Sequence, residues 1–138
     1  MLDLSTELGS RTRKLLESEQ IVWLTTVGRD GTPQPRPVWF LWDGASVLIY
    51  SRPGTRKLRH IARSGRVSLN FNSDPEAEEF AVLTGEARIV SDAPRGDDNP
   101  EYLDKYKAGI AHIEMTPEGF GRDFSVAIRV TPTKMRGA

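Results

Sequence analysis

The chain has 138 residues, and its nineteen basic and nineteen acidic side chains give a formal net charge of zero at pH 7. This length suits one domain built around a single core. The absence of cysteine excludes disulfides, thiolate nucleophiles and cysteine metal sites.

The first twenty residues are charged throughout and contain no apolar segment of the kind that a secretory signal needs. No run of apolar residues approaches the length that spans a membrane. We therefore expect a cytoplasmic protein that does not use a membrane as a partner.

The predicted elements begin with an amphipathic helix over roughly residues 5–18, where Leu8, Leu15 and Leu16 recur among charged side chains. Three further short helices are predicted, at 55–65, at 101–113 and from the segment MTPEGF onward. Six strands are predicted, in the segments IVWLTTV, PQPRPVWFLWDG, VLIYS, RVSLNF, FAVLTGEARIV and DFSVAIRVTPTKMRG. Because strands and helices do not alternate regularly, the prediction is an antiparallel barrel with helical excursions, of mainly β with α (α+β) class, in one domain over residues 1–138.

Three prolines alternate in the second predicted strand, at Pro33, Pro35 and Pro37. Residues two apart in a strand direct their backbone N–H groups to the same side, so that side loses three donors in succession. This strand must lie at an edge or at a break in the barrel wall. A ligand that lies along the open wall and prolines that only protect an edge from aggregation both remain compatible with the pattern.

Residues 49–66 contain six positive side chains and no carboxylate. Thr55 is placed to cap the short helix, and Leu58, Ile61 and Ala62 give it an apolar face. Cations then occupy the first turn, where the helix dipole disfavours them by a few tenths of a kcal/mol each. The pattern favours an anionic partner, although a solvated face and a single-stranded nucleic-acid site beside the three tryptophans remain alternatives.

Several kinds of catalytic site are absent from the sequence. Neither a phosphate-binding G-x-x-x-x-G-K nor a dinucleotide-binding G-x-G-x-x-G occurs, and no nucleophile elbow accompanies the serines. His60 and His112 belong to no metal-ligand spacing, so we expect each to be exposed or hydrogen-bonded, and we expect His60→Ala to have little effect on binding.

The segments PRPVWFLWDG and IYSRPGTRKLRHI resemble the cofactor-binding half of the pyridoxamine 5′-phosphate oxidase-like split β-barrel superfamily. The runs PVWF, SRPGTRKLR and IRVTPTKMRG are similar to those of its actinobacterial deazaflavin branch. The resemblance covers about residues 15–137 and implies a six-stranded split β-barrel with short helices. It also implies a homodimer whose cofactor sites lie at the subunit interface, and it implies no nucleic-acid partner.

The resemblance further implies an oxidoreductase that transfers a hydride between coenzyme F420, a deazaflavin, and a small organic substrate. FMN is the alternative cofactor, and a cofactor carrier without turnover is the alternative function. Thr55, Arg56 and Lys57 would hold the phosphate, and Arg52 and Arg59 would reach a longer anionic tail. The other implied cofactor-binding residues are Gln34, Arg36, Pro37, Val38, Trp39, Ser51 and Gly54, with Met135 and Arg136, next to Lys134, reaching the site of the other subunit. No metal and no particular catalytic side chain is implied.

Overall fold

Residues 2–138 are described by the structure, a computed structural model, and they have the predicted α+β class. The helices of this part of the chain are α1 (Glu7–Ser18), α2 (Arg56–Arg63), α3 (Pro100–His112) and α4 (Pro117–Asp123). The strands are β1 (Val22–Val27), β2 (Pro33–Val38), β3 (Leu41–Trp42), β4 (Val47–Ser51), β5 (Arg66–Asn70), β6 (Ala81–Val90) and β7 (Val126–Gly137).

The predicted number of six strands is wrong, because the segment PQPRPVWFLWDG forms two strands. β2 ends at Val38, and β3 pairs with β4 in a hairpin, with Leu41 opposite Leu48. The hairpin turn is stabilised by Asp43, whose Oδ1 accepts from the backbone N–H of Ser46 at 2.7 Å. A continuous run of strand-forming residues gives no local sign of such a break.

All seven strands form one antiparallel sheet in the order β2-β1-β5-β6-β7-β4-β3. The two edge strands, β2 and β3, follow each other in the chain. Val38 and Leu41 are three residues apart, and three residues span at most about 11 Å. The sheet therefore curls into a barrel whose wall is split beside β2.

The edge position of β2 confirms the prediction from its prolines. β2 pairs with β1 alone, with Thr25 opposite Pro35 and Trp23 opposite Pro37. Because the prolines have no N–H, the donors to β1 must come from Gln34, Arg36 and Val38, and the open side of β2 offers carbonyl oxygens without donors.

The main core fills the barrel. Leu24, Ile49, Leu69, Leu83 and Ile128, from five different strands, are almost completely buried there. Such residues each contribute roughly 1.5 to 3 kcal/mol by leaving water.

Helix α2 packs onto this core through Leu58 and Ile61, which are three residues apart and therefore lie on one face. Ala62, predicted on the same face, is exposed instead. Burial of this face holds α2, whose first turn carries the cations, against β1 and β6.

Helices α3 and α4 form a second layer outside the barrel. Tyr102, Tyr106, Ile110 and Phe120 pack there against the outer side chains of β4, so that all five residues of β4 are buried. The layer covers the wall next to the split and leaves β2 open.

Helix α3 also satisfies the backbone where the chain leaves β2. The hydroxyl of Tyr106 accepts from the N–H of Phe40 at 2.9 Å, and Lys105 Nζ donates to the carbonyl of Phe40 at 2.9 Å. An unpaired peptide group in a buried position would be costly, so these bonds stabilise the break between β2 and β3. Partial burial lowers the pKa of Lys105 to about 8, although the charge of Glu19 opposes the shift.

Among residues 2–138, no helix combines the length and the apolar character that crossing a bilayer requires. The same residues contain no group of three side chains suited to hold a metal ion.

Candidate functional site

The start of helix α2 lacks a side-chain cap. Thr55 occupies the N-cap position, but its hydroxyl lies 3.2 Å from Ser51 Oγ and bonds to no N–H of the first turn. The other three helices of the described chain each begin with a Thr or Asn side chain that accepts such a bond. The free N–H groups and the positive end of the helix dipole favour an anion at this position.

Two adjoining cavities lie between α2, β2 and the α3–α4 layer. The first, called the polar cavity, has a volume of about 170 Å³ and is lined by Leu24, Thr26, Gln34, Pro35, Arg36, Arg56, Lys57 and His60. The second, called the aromatic cavity, has a volume of about 280 Å³ and is lined by Ile21, Arg36, Pro37, Val38, Trp39, Tyr50, Lys57, Tyr102, Ile113, Phe120 and Phe124. Arg36 and Lys57 line both cavities, so the two form one continuous cleft, and no carboxylate lines either of them.

The cations of the cleft form no ion pair within the part of the chain that the structure describes. Arg36, Arg56 and Lys57 form no ion pair and no side-chain hydrogen bond with any residue in the range 2–138. Burial, and after it the charge of Arg36, lower the pKa of Lys57. Because like charges in a partly desolvated cleft repel one another, an anion bound between them is favoured.

Other cations of the basic segment are already bonded within the protein. Arg52 lies 3.7 Å from Asp123 Oδ2 and stacks over the ring of Phe124 at 4.6 Å. Arg59 Nη1 donates to the carbonyl of Gly54 at 2.9 Å, and Arg63 Nη2 donates to that of Val27 at 2.6 Å. These three side chains hold the turn and α2 against their neighbours, while Arg56 and Lys57 face the cleft.

The aromatic cavity is bounded by stacked rings. Trp39 lies parallel to Tyr106, with 4.7 Å between ring centroids, and its ring centroid is 5.8 Å from that of Phe120. Burial raises the pKa of Tyr102 and of Tyr106, so both rings stay neutral at pH 7. Flat apolar walls of this kind suit a planar ligand.

The structure brings seven of the predicted site residues to the cleft, namely Gln34, Arg36, Pro37, Val38, Trp39, Arg56 and Lys57. Ser51 and Thr55 do not line the cleft. They lie next to the start of α2, where Ser51 Oγ donates to the carbonyl of Arg52 at 2.8 Å. Gly54 has a φ of 76°, which the turn before α2 requires and which glycine adopts without strain.

Met135 and Arg136 do not line the cleft of their own chain. They lie near the end of β7, opposite Leu83 and Val82 of β6. Lys134 lines a separate depression of about 490 Å³ on the outer face of β1, β5 and β6. That depression is larger than the cleft, but it contains Glu86 as well as cations and has no aromatic wall, so it is less suited to a planar anion.

The sequence analysis missed the part of the cleft that α3 and α4 contribute. Tyr102, Phe120 and Phe124 lie outside the motifs that carry the family resemblance, and the i, i+4 spacing of Tyr102 and Tyr106 is the signal that could have indicated an apolar face there. His60, expected to be exposed or hydrogen-bonded, is 8% exposed and places Nδ1 2.8 Å from Thr26 Oγ1.

Comparison with known proteins identifies the family of the chain. The family model described as pyridoxamine 5′-phosphate oxidase matches residues 8–137. The sequence has no significant match among curated proteins.

Solved structures with the same fold differ in what they are named for. A structure named F420 reductase is 27% identical, with 90% of this chain and 94% of that chain covered and a TM-score of 0.69. A Clostridium acetobutylicum protein related to general stress protein 26, of the pyridoxinephosphate oxidase family, is 18% identical, with 99% and 90% covered and a TM-score of 0.70. The haem storage protein HutZ from Vibrio cholerae is 15% identical, with 96% and 95% covered and a TM-score of 0.65.

Proposed function

Because the chain belongs to the pyridoxamine 5′-phosphate oxidase family, we propose that it is an oxidoreductase that transfers a hydride between coenzyme F420 and a small organic substrate. The observation that carries the proposal is the cleft, in which an aromatic cavity continues into a polar cavity with three uncompensated cations. A ligand that matches both parts has a planar apolar ring system joined to an anionic group.

The residues of the cleft fit a phosphorylated deazaflavin. The two cavities have volumes of about 280 and 170 Å³, which together fall within the range of roughly 300–1,000 Å³ that small-molecule sites occupy. The polar cavity provides two arginines and a lysine, which are the usual donors to phosphate. The aromatic cavity provides the partly exposed rings of Trp39 and Phe124 as apolar walls for a ring.

When bound, the deazaflavin supplies the carbon, C5, that gives or takes the hydride. The protein side chains bind and orient it. Arg56 and Lys57, with the free N–H groups of α2, hold the phosphate, while Trp39 fixes the plane of the ring.

No side chain of the cleft needs to act as an acid or base in this function. No carboxylate lines the cleft, and burial keeps the nearby tyrosine hydroxyls protonated by raising their pKa values. The chemistry of the reaction then comes from the cofactor, and the protein determines which substrate reaches it.

The tail of the cofactor favours coenzyme F420 over FMN, the second candidate. FMN ends at its phosphate, whereas the deazaflavin continues into several carboxylates. Arg52 and Arg59 flank the start of α2, are exposed, and keep guanidinium donors beyond those bonded within the chain. The relative named F420 reductase supports the same order.

The test is a titration of the protein with each cofactor, in which quenching of tryptophan fluorescence reports binding. We expect tighter binding of coenzyme F420, and an affinity that falls more steeply with salt than one phosphate contact would require. Tight binding of FMN with none of the deazaflavin would reverse the order of the two candidates. Binding of neither cofactor would refute the proposed function.

Turnover distinguishes an enzyme from a carrier that only binds the cofactor. The protein loaded with reduced deazaflavin is mixed with a panel of activated alkenes, carbonyls and imines, and return of the oxidised cofactor is followed by its absorbance. Acceleration over the free reduced cofactor with at least one acceptor supports the oxidoreductase, and its absence from the whole panel supports the carrier.

A further inference from the structure

His60 lies in the wall of the polar cavity, on the same helix as Arg56 and Lys57. It belongs to α2, one turn after Arg56, and the cavity that it lines is also lined by Arg36, Arg56, Lys57 and Gln34. The residue is 8% exposed, so its ring is held in one place and is not a free surface side chain. The proposed phosphate-binding residues do not account for a buried imidazole at this position.

The two nitrogens of the ring have different surroundings. Nδ1 lies 2.8 Å from the hydroxyl of Thr26 on β1, which is itself buried. Nε2 has no hydrogen-bond partner in the described part of the chain, and it remains accessible to solvent. An unpaired polar atom that solvent reaches, on a residue in the wall of a cavity, is available to bond a ligand there.

Thr26 can determine which nitrogen carries the proton. When the threonine hydroxyl donates to Nδ1, the neutral imidazole must carry its proton on Nε2. The ring then presents an N–H donor to the cavity that Lys57 also lines.

We propose that His60, oriented by Thr26, donates a hydrogen bond from Nε2 to the phosphate of the ligand and is a binding residue of the polar cavity. This inference rests on the proposed function for the identity of the ligand, but its chemistry needs only a phosphate group. It revises the expectation that His60→Ala has little effect.

The test compares the phosphorylated deazaflavin with the same deazaflavin chromophore lacking the phosphate. A hydrogen bond to a charged group corresponds to roughly a tenfold change in affinity or more. His60→Ala is therefore expected to weaken binding of the phosphorylated form about tenfold and to leave binding of the phosphate-free chromophore unchanged. His60→Gln, which keeps an N–H donor near the position of Nε2, should restore most of the affinity.

Thr26→Val removes the hydroxyl at nearly constant volume and tests the orienting role. Its expected effect is a smaller loss for the phosphorylated form only, together with a change in the ring tautomer measured by long-range ¹H–¹⁵N NMR of the imidazole. Equal weakening of both ligands by His60→Ala would overturn the proposal, because it would mean that the residue only supports the fold.

A second measurement separates this inference from the proposed function. Inorganic pyrophosphate is titrated into the uniformly ¹⁵N-labelled protein, and the Nε2 signal of His60 is followed. A saturable shift of that signal, absent in Arg56→Ala, supports the phosphate contact even if neither cofactor binds. An unchanged Nε2 signal at saturating pyrophosphate or coenzyme F420 would contradict it.

Discussion

Arg56 and Lys57 are neighbours in the sequence but occupy different places in the cleft. Arg56 lines the polar cavity only, whereas Lys57 lies at the junction of the polar and aromatic cavities with Arg36. Arg59 also follows in α2, but it bonds to the carbonyl of Gly54. Residues of identical charge in one short helix therefore divide into those that line the cleft and those that do not, and the direction of each side chain decides which.

Alanine at Arg56 or at Lys57 is expected to weaken cofactor binding about tenfold or more, because each removes a charge-assisted hydrogen bond worth roughly 1.5 to 3 kcal/mol. Tryptophan quenching measures the affinity, and circular dichroism checks the fold. Lys107→Ala, at an exposed position on α3, is the matched control and should bind normally. Unchanged affinity in both cleft variants with an intact fold would show that the phosphate lies elsewhere.

Lys105 gives the protein a specific pH dependence. Burial lowers its pKa to about 8 from 10.5, so between pH 8 and 10.5 the unfolded chain binds a proton that the folded protein has released. The free energy of unfolding must rise with pH across this window. Since about half of the side chain stays in contact with solvent, we expect a rise of only about 1 kcal/mol.

A comparison with Lys105→Met separates the contribution of Lys105 to the free energy of unfolding from that of Tyr102 and Tyr106. The raised pKa values of these tyrosines lower the stability of both proteins above about pH 10. Urea unfolding at pH 7.5 and about pH 10 measures it. If the difference between the two proteins is the same at both pH values, Lys105 is not perturbed in the way that its burial implies.

At the scale of elements, α3 controls the shape of the aromatic cavity. Its Tyr106 stacks on Trp39, and the backbone of Gly109 faces the same indole. A Cβ at Gly109 would stand 3.1 Å from Trp39 Cζ2, so this glycine permits the close approach of the helix to the ring. The fit of α3 against Trp39 thus determines where the ring of a ligand can lie.

Gly109→Ala is expected to displace Trp39 with little change in stability. The gain in helix propensity of about 1 kcal/mol offsets the crowding of the indole. The expected readouts are a shifted tryptophan emission, a weaker cofactor affinity, and a free energy of unfolding within about 1 kcal/mol of the parent protein. In a Trp39→Phe background, where Cζ2 is absent, the effect of the alanine on affinity should shrink, and an equal effect in both backgrounds would contradict the contact.

At the scale of the whole molecule, the cleft is built by one chain, but three of the predicted contact residues lie away from it. They are Lys134, Met135 and Arg136, which lie near the C-terminal end of β7, where this strand pairs with β6. We propose, as the family resemblance implies, that the protein is a homodimer in which these residues reach the cofactor of the other subunit.

The dimer is tested by sedimentation at micromolar concentration, where a monomer would refute it. Arg136→Ala provides the functional readout, because Arg136 does not line the cleft of its own chain. Weaker cofactor binding by this variant, with an unchanged dimer, is the expected result. Normal binding would exclude a role for Arg136 in the site of either subunit.

Several local features of the protein follow from its amino-acid sequence alone. The limits of the helices, the edge position of β2 and the uncompensated charge at the start of α2 follow from caps, prolines and the spacing of Leu58 and Ile61, all of which act over a few residues. The family resemblance, which contiguous motifs carry, is confirmed by the family model that matches residues 8–137.

Which distant residues contact these local features depends on the tertiary structure. The break after Val38 is stabilised by Tyr106 and Lys105, more than sixty residues away in sequence. The packing of α3 and α4 on β4 brings Tyr106 and Phe120 beside Trp39, and the packing of α2 on the barrel places His60 against Thr26. Contacts of this kind depend on which surfaces are buried together, and no pattern within one short segment specifies them.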